Sequence, residues 1–136
     1  MKTINPDPAA LPGILAKLPV DVPIVMVNLL RFRDRAIYPD GKSDCTGREA
    51  YKRYSMVALK KLKEIGAQAI FMAGVKGSLI APPDEVWDEV LLVRYPSIQA
   101  FSNMLAMKDY RDVTVHRSAA LEDSRLIATV EHVAGS

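Results

Sequence analysis

Residues 24–31 (Ile24-Val25-Met26-Val27-Asn28-Leu29-Leu30-Arg31) are apolar along almost their whole length and rich in β-branched side chains. Such a run reads as a strand. Period two puts Met26, Asn28 and Leu30 on one face and Val25, Val27, Leu29 and Arg31 on the other. Both faces are apolar, so both need cover, which places the strand in the middle of a sheet. Asn28 is then an amide among apolar neighbours. A buried amide needs partners, either in nearby backbone or in a ligand.

The rest of the chain supplies the partners for that strand. Pro6, Pro8, Pro12, Pro19 and Pro23 break up residues 1–22, which read as an N-terminal arm. Ala10, Leu11, Ile14, Leu15 and Leu18 could dock a turn or two of it on the body. Residues 33–46 show no apolar period and contain the turn Tyr38-Pro39-Asp40-Gly41, so a long loop is expected there. Thr46-Gly47-Arg48-Glu49 has the spacing of a capping box. The following helix should run to about Ile65 on a stripe of Tyr51, Tyr54, Ala58, Leu62 and Ile65, with Gly66 as its stop. A second strand is expected from Gln68 to Ile80, weakened by Gly74 and Gly77. Pro82-Pro83-Asp84 turns the chain into a third strand from Val86 to Tyr95. Ser97 can cap a short helix with Ile98, Phe101 and Leu105 inward. Asp109 can cap a continuation carrying Tyr110, Val113, Arg117 and Ala120. A last strand is expected from Ser124 to Val133.

This order, strand–helix–strand–strand–helix–strand, is the α+β ferredoxin-like arrangement βαββαβ with an antiparallel sheet. At 136 residues the chain is the size of one domain. Both helices of this arrangement cover the same sheet face. The other face is open and apolar, and an open apolar face of that size implies a partner. A second copy related by a two-fold axis is the simplest one, so a homodimer is expected.

Composition narrows the function classes. The net charge is only +2 and the basic residues do not cluster, which argues against a nucleic-acid partner. Lys60-Lys61-Leu62-Lys63 reads as the wet face of a helix. No apolar run is long enough to span a bilayer, and no signal peptide is visible, so a cytoplasmic protein without membrane contact is expected. Cys45 is the only cysteine and cannot form an internal disulfide. No His/Cys/carboxylate set has metal spacing, and no glycine-rich phosphate loop follows a strand. Neither a metal nor a cofactor is expected.

Several segments together resemble a known family. They are Asn28-Leu29-Leu30-Arg31-Phe32, Gly47-Arg48-Glu49-Ala50-Tyr51 with Tyr54, Trp87-Asp88, Val93-Arg94-Tyr95-Pro96-Ser97, and His116-Arg117-Ser118-Ala119-Ala120-Leu121-Glu122-Asp123-Ser124. In this order they resemble the family called domain of unknown function 1330, over residues 22 to 128. The resemblance implies a dimeric α/β barrel, in which two ferredoxin-like sheets pack face to face. The wider superfamily includes cofactor-independent oxygenases, isomerases, dehalogenating and haem-binding members, and proteins without a known reaction. Their pockets commonly lie between sheet and helices.

The candidate site residues are the polar and amphipathic side chains set in apolar elements. His116 can titrate near neutrality and is the candidate general acid or base. Asn28, Tyr54, Trp87 and Arg94 are the candidate substrate-binding residues. Each also has a structural reading. His116 could bond a neighbour on the helix surface. Asn28 could tie down the long loop, and Tyr51 and Tyr54 could pack in the core with hydroxyls at its rim. Arg31, Arg94 or Arg117 could hold a carboxylate by a two-point contact. Alternatively they form structural ion pairs, for instance Arg117 with Glu122 or Asp123. Cys45 lacks an evident activating base. Two functions stay open at this level. One is a small-molecule-binding protein or cofactor-independent enzyme with a pocket between sheet and helices. The other is a non-catalytic homodimeric structural or interaction module.

Overall fold

β1 (Ile24–Phe32) is a central strand, as its two apolar faces require; it pairs antiparallel with both flanking strands. The computed structural model describes residues 1–132. After a short arm helix α1 (Leu11–Ala16) and β1 come α2 (Gly47–Glu64), β2 (Gln68–Gly74), β3 (Glu89–Tyr95), α3 (Ile98–Ala106), α4 (Lys108–Ala120) and β4 (Leu121–Thr129). The sheet order is β2-β3-β1-β4, with every pair antiparallel. α3 and α4 together fill the place of the second helix, which gives the ferredoxin-like α+β fold.

The register sorts side chains into cross-strand rows. Phe71, Leu92, Val27 and Ile127 form one row, and Ala73, Val90, Leu29 and Arg125 the next. Both lie on the sheet face away from the main core. Phe71 and Ile127 are half exposed there, at 52% and 50%. The opposite face carries Met72, Leu91, Asn28 and Leu126 in one row and Ala69, Val93, Met26 and Ala128 in another. Met26 and Val93 are buried under the helices with Ala58, Leu62, Phe101, Met104 and Tyr110. A second cluster forms around Leu30, Ala50, Tyr51, Ala119, Ala120 and Leu121.

The capping box forms as its spacing requires: the Glu49 N–H donates to Thr46 Oγ1 and the Thr46 N–H to Glu49 Oε1. Ser97 Oγ likewise accepts from the Ala100 N–H at the start of α3. Other boundaries differ from expectation. β2 stops at Gly74, not Ile80, and Leu79 and Ile80 are fully exposed. β3 starts at Glu89 instead of Val86, because Asp88 is taken up in a turn contact: its N–H donates to Leu30 O and its carboxylate accepts from the Phe32 N–H. α4 starts at Lys108 without a side-chain cap; Asp109 accepts from Lys61 Nζ instead. β4 begins three residues early, at Leu121, and the expected end at Val133 lies outside the described residues.

The loop 33–46 is not structureless. Arg35 and Thr46 bridge, the Ala36 N–H donates to Cys45 O, and the Ile37 N–H donates to Ala119 O. Ala36 and Cys45 are buried by this docking. No helix among the described residues is long and apolar enough to cross a membrane.

Candidate functional site: a cavity between sheet, helices and arm

The helix-side face of the sheet is incompletely filled. Between it and the helices lies a cavity of about 410 Å³. Such a volume falls within the range of small-molecule sites, about 300–1,000 Å³. Its floor is made by Met26 and Asn28 of β1 and by Ser124, Leu126 and Ala128 of β4. α2 contributes Tyr54, α3 contributes Phe101, Met104 and Leu105, and α4 contributes Tyr110, Thr114 and Arg117. The spacing of the last three, at i, i+4 and i+7, puts them on one helix face.

The arm closes the remaining side. Leu11, Ile14, Leu15 and Leu18 line the cavity. The first residues of the arm are tied along β4: the Ser124 N–H donates to Thr3 O (2.7 Å), Thr3 Oγ1 to Ser124 O (2.6 Å) and the Thr3 N–H to Asp123 Oδ1 (2.9 Å). Lys2 forms an ion pair with Glu122. Burial acts to raise the Asp123 carboxyl, but the hydrogen bonds from Thr3, Arg125 and Ser124 outweigh it and hold the group below the usual range.

The polar atoms of the cavity have defined partners. Asn28 Nδ2 donates to Leu91 O (3.2 Å) and Met26 O (3.4 Å), which turns its amide hydrogens to backbone and leaves Oδ1 to accept. The Tyr54 and Tyr110 hydroxyls are 2.8 Å apart. One donates to the other, so one phenolic hydrogen is left over for a ligand. Burial, reinforced by Tyr110, pushes the Tyr54 phenol well above its ordinary value. It is therefore a hydrogen-bonding group at neutral pH and not a base. Arg117 donates from Nη1 to Ile4 O (2.5 Å) and sits 3.5 Å from Ser124 Oγ through Nη2. The ion pair of Arg117 with Glu122 or Asp123 does not form, because those carboxylates are held by Lys2 and Arg33, and by Arg125.

Of the candidate residues, the structure brings Asn28 and Tyr54 to the cavity and places the others elsewhere. His116 lies on α4 beside the loop 33–46, with Nδ1 2.7 Å from the Tyr38 hydroxyl. That hydroxyl also accepts from Arg53 Nη1 (3.0 Å). Burial, then the charge of Arg53, hold the His116 imidazole below its ordinary value. Trp87 is buried with the Arg125 guanidinium over its ring, 5.0 Å from the centroid. Arg94 pairs opposite Val25 in the sheet and is exposed. Arg31 pairs opposite Asp123 at the other end of β1, so the two arginines do not meet. Cys45 packs as a small apolar side chain. Tyr110 and Ser124 also line the cavity, although the sequence did not offer them as site residues. The arm left a signal: Leu11, Ile14, Leu15 and Leu18 repeat at helical spacing. A second, polar depression at the end of β1 is lined by Arg31, Arg33, Arg35, Arg48, Asp88 and Glu122.

Fold and cavity together define a ferredoxin-like α+β protein with a pocket between sheet and helices. The chain belongs to the same family as RPA0582 of Rhodopseudomonas palustris. The crystal structure of methylated RPA0582 is 37% identical over 99% of this chain and 98% of that one, with a TM-score of 0.92. A further crystal structure of RPA0582, described as a protein of unknown function, is 36% identical over 98% and 99% of the two chains, with a TM-score of 0.89. A dimeric protein of unknown function from Bacteroides fragilis, with a ferredoxin-like fold, shares that fold at 10% identity and a TM-score of 0.53, over 80% of this chain and 96% of its own. No family model and no curated protein matches the chain.

Proposed function

We propose that the protein binds a small organic molecule in the cavity between sheet, helices and arm, and that it does so as a homodimer of the dimeric α/β-barrel type. This reading places it with the family called domain of unknown function 1330. The observation that carries it is the cavity itself. A helix-side core could have been filled by larger side chains at Ala128 or Thr114, yet space of about 410 Å³ remains, with Asn28, Tyr54, Tyr110 and Arg117 converging on it. Binding is better supported than proton transfer, because the lining contains neither histidine nor cysteine and the Tyr54 phenol is held neutral.

A thermal-shift screen with small acids, lactones and aromatics tests the reading, since a ligand of the folded state raises the melting temperature. The control is Ala128→Phe, which puts a ring on the cavity floor. Hits that stabilise the parent protein should leave this variant unshifted. Equal shifts in both would overturn the site, and a screen without hits would overturn the function.

The dimer reading rests on the open sheet face. Val25, Val27, Leu29, Val90 and Leu92 form its middle, with Phe71 and Ile127 half exposed at its sides. The Bacteroides fragilis protein of the same fold is described as dimeric.

A further inference from the structure

We infer that the ligand of the cavity is an amphipathic monocarboxylic acid, its carboxylate against Arg117 and its aliphatic or aryl body toward Met26 and Ala128. This rests on the cavity being the binding site and adds the chemical class of its occupant.

The first argument is charge. Arg117 is partly buried on the cavity wall. Among the described residues it has no ion pair; its partners are a backbone carbonyl and a serine hydroxyl. A guanidinium has five N–H donors and cannot lose its proton. Two are engaged, so three remain. A half-desolvated cation with free donors is balanced best by an anion, and a carboxylate matches the fork by two parallel hydrogen bonds. The other charged groups on the lining are committed. Arg125 pairs with Asp123 (2.6 Å), and Asp7, the one carboxylate there, is exposed on the arm and accepts from the Ala9 N–H.

The second argument is polarity along the floor. Ser124 pairs opposite Leu30, Leu126 opposite Asn28, and Ala128 opposite Met26. Moving from Ser124, whose hydroxyl donates to Thr3 O and accepts from Arg117, to Ala128 therefore passes from the Arg117 guanidinium, past the Asn28 amide, to an apolar end. Leu15, Leu18, Phe101 and Met104 complete the apolar lining. Four residues of strand span about 13 Å. That length suits a medium-chain or arylalkanoic acid and not a small dicarboxylate, whose second charge would meet apolar groups.

The test is isothermal titration of the 136-residue chain with octanoate and 4-phenylbutyrate, each against its primary amide. The amide keeps the shape and removes the charge. The acids should bind at least 10-fold more tightly than their amides, and Arg117→Gln should bring the ratio of acid to amide affinity to about one, whatever it does to either affinity alone. Arg117→Lys, which keeps charge without the fork, should fall between. Acid and amide binding equally to the parent protein would overturn the carboxylate and leave the cavity reading standing. Neither binding would overturn both. Because Arg117 also holds the arm, the comparison of acid with amide on the parent protein decides the matter if the variant does not fold.

Discussion

The hydroxyls of Tyr54 and Tyr110 meet at 2.8 Å across the junction of α2 and α4, from positions 56 residues apart. Tyr51 stacks beside Tyr54 with ring centroids 5.3 Å apart, and Tyr95 packs nearby against Phe101. Ionising Tyr51, Tyr54 or Tyr95 would put a charge on a group that is mostly out of water. Burial pushes Tyr51 up to about 12, and Tyr54 and Tyr95 well above their ordinary value. An absorbance titration should therefore find at least these three of the five tyrosines protonated at pH 11 while circular dichroism still reports a folded chain. Full phenolate absorbance at that pH in the folded protein would contradict the packing.

Gly47 opens α2 where three backbone segments converge. A Cβ there would lie 2.1 Å from Arg33 O, 2.8 Å from Ala120 O and 2.9 Å from Arg33 N. None of these atoms belongs to a side chain that could turn away. The Arg33 N–H also donates to Ala120 O, so the contact cannot open without losing that bond. Gly47→Ala should cost about 2–3 kcal/mol, the upper part of the range for overpacking. Urea denaturation measures it, and a change under about 0.5 kcal/mol would be that of an ordinary surface site.

The contrast between Gly47 and Arg117 shows which features a sequence exposes. Local chemistry was readable: the Thr46–Glu49 box, the Ser97 cap, the stripe on α2 and the two-faced strand β1 each depend on residues a few positions apart. The site depends on distant ones. Arg117 meets Ile4 because the arm and α4 converge over β4, and Tyr54 meets Tyr110 because α2 packs on α4. The sequence offered His116 as a general acid or base or as a histidine bonded to a neighbour; its hydrogen-bond neighbour is Tyr38, brought in by a loop without periodicity, and Arg53 of α2 bonds the same hydroxyl. Residue type alone does not say that His116 lies against Tyr38 of the loop while Arg117 lines the cavity.

The contact between His116 and Tyr38 has a pH dependence. His116 is held below 6.5 by burial and by Arg53, which is itself bonded to Tyr38 and lies 3.9 Å from Asp44. Because the folded state disfavours the imidazolium, the unfolded chain binds the proton more readily. Stability is then complete above pH 6.5 and falls as the pH drops through the lowered folded value. The urea midpoint should drop between pH 7.5 and pH 5 by more in the parent protein than in His116→Gln, which cannot be protonated. Carboxylate titration is common to both and cancels. Equal drops would show that His116 is not coupled to folding.

The dimer is open to an equally direct test at Ile127. The row Phe71–Leu92–Val27–Ile127 crosses all four strands on the open face, and Ile127 is half exposed in the single chain. Ile127→Asp should therefore leave the subunit fold intact. In a two-fold interface the substitution enters twice, and each carboxylate would be buried against Leu92, Val27 or their symmetry mates. An unpaired buried charge costs several kcal/mol, enough to dissociate a standard-sized interface of about 800 Å² per partner. Sedimentation at micromolar concentration should give a dimer for the parent protein and a folded monomer for Ile127→Asp. Arg94→Ala, at the exposed margin of the same face, should stay dimeric, since rim charges affect encounter more than affinity. A monomeric parent protein, or an Ile127→Asp variant that remains dimeric, would show that this face does not hold the partner.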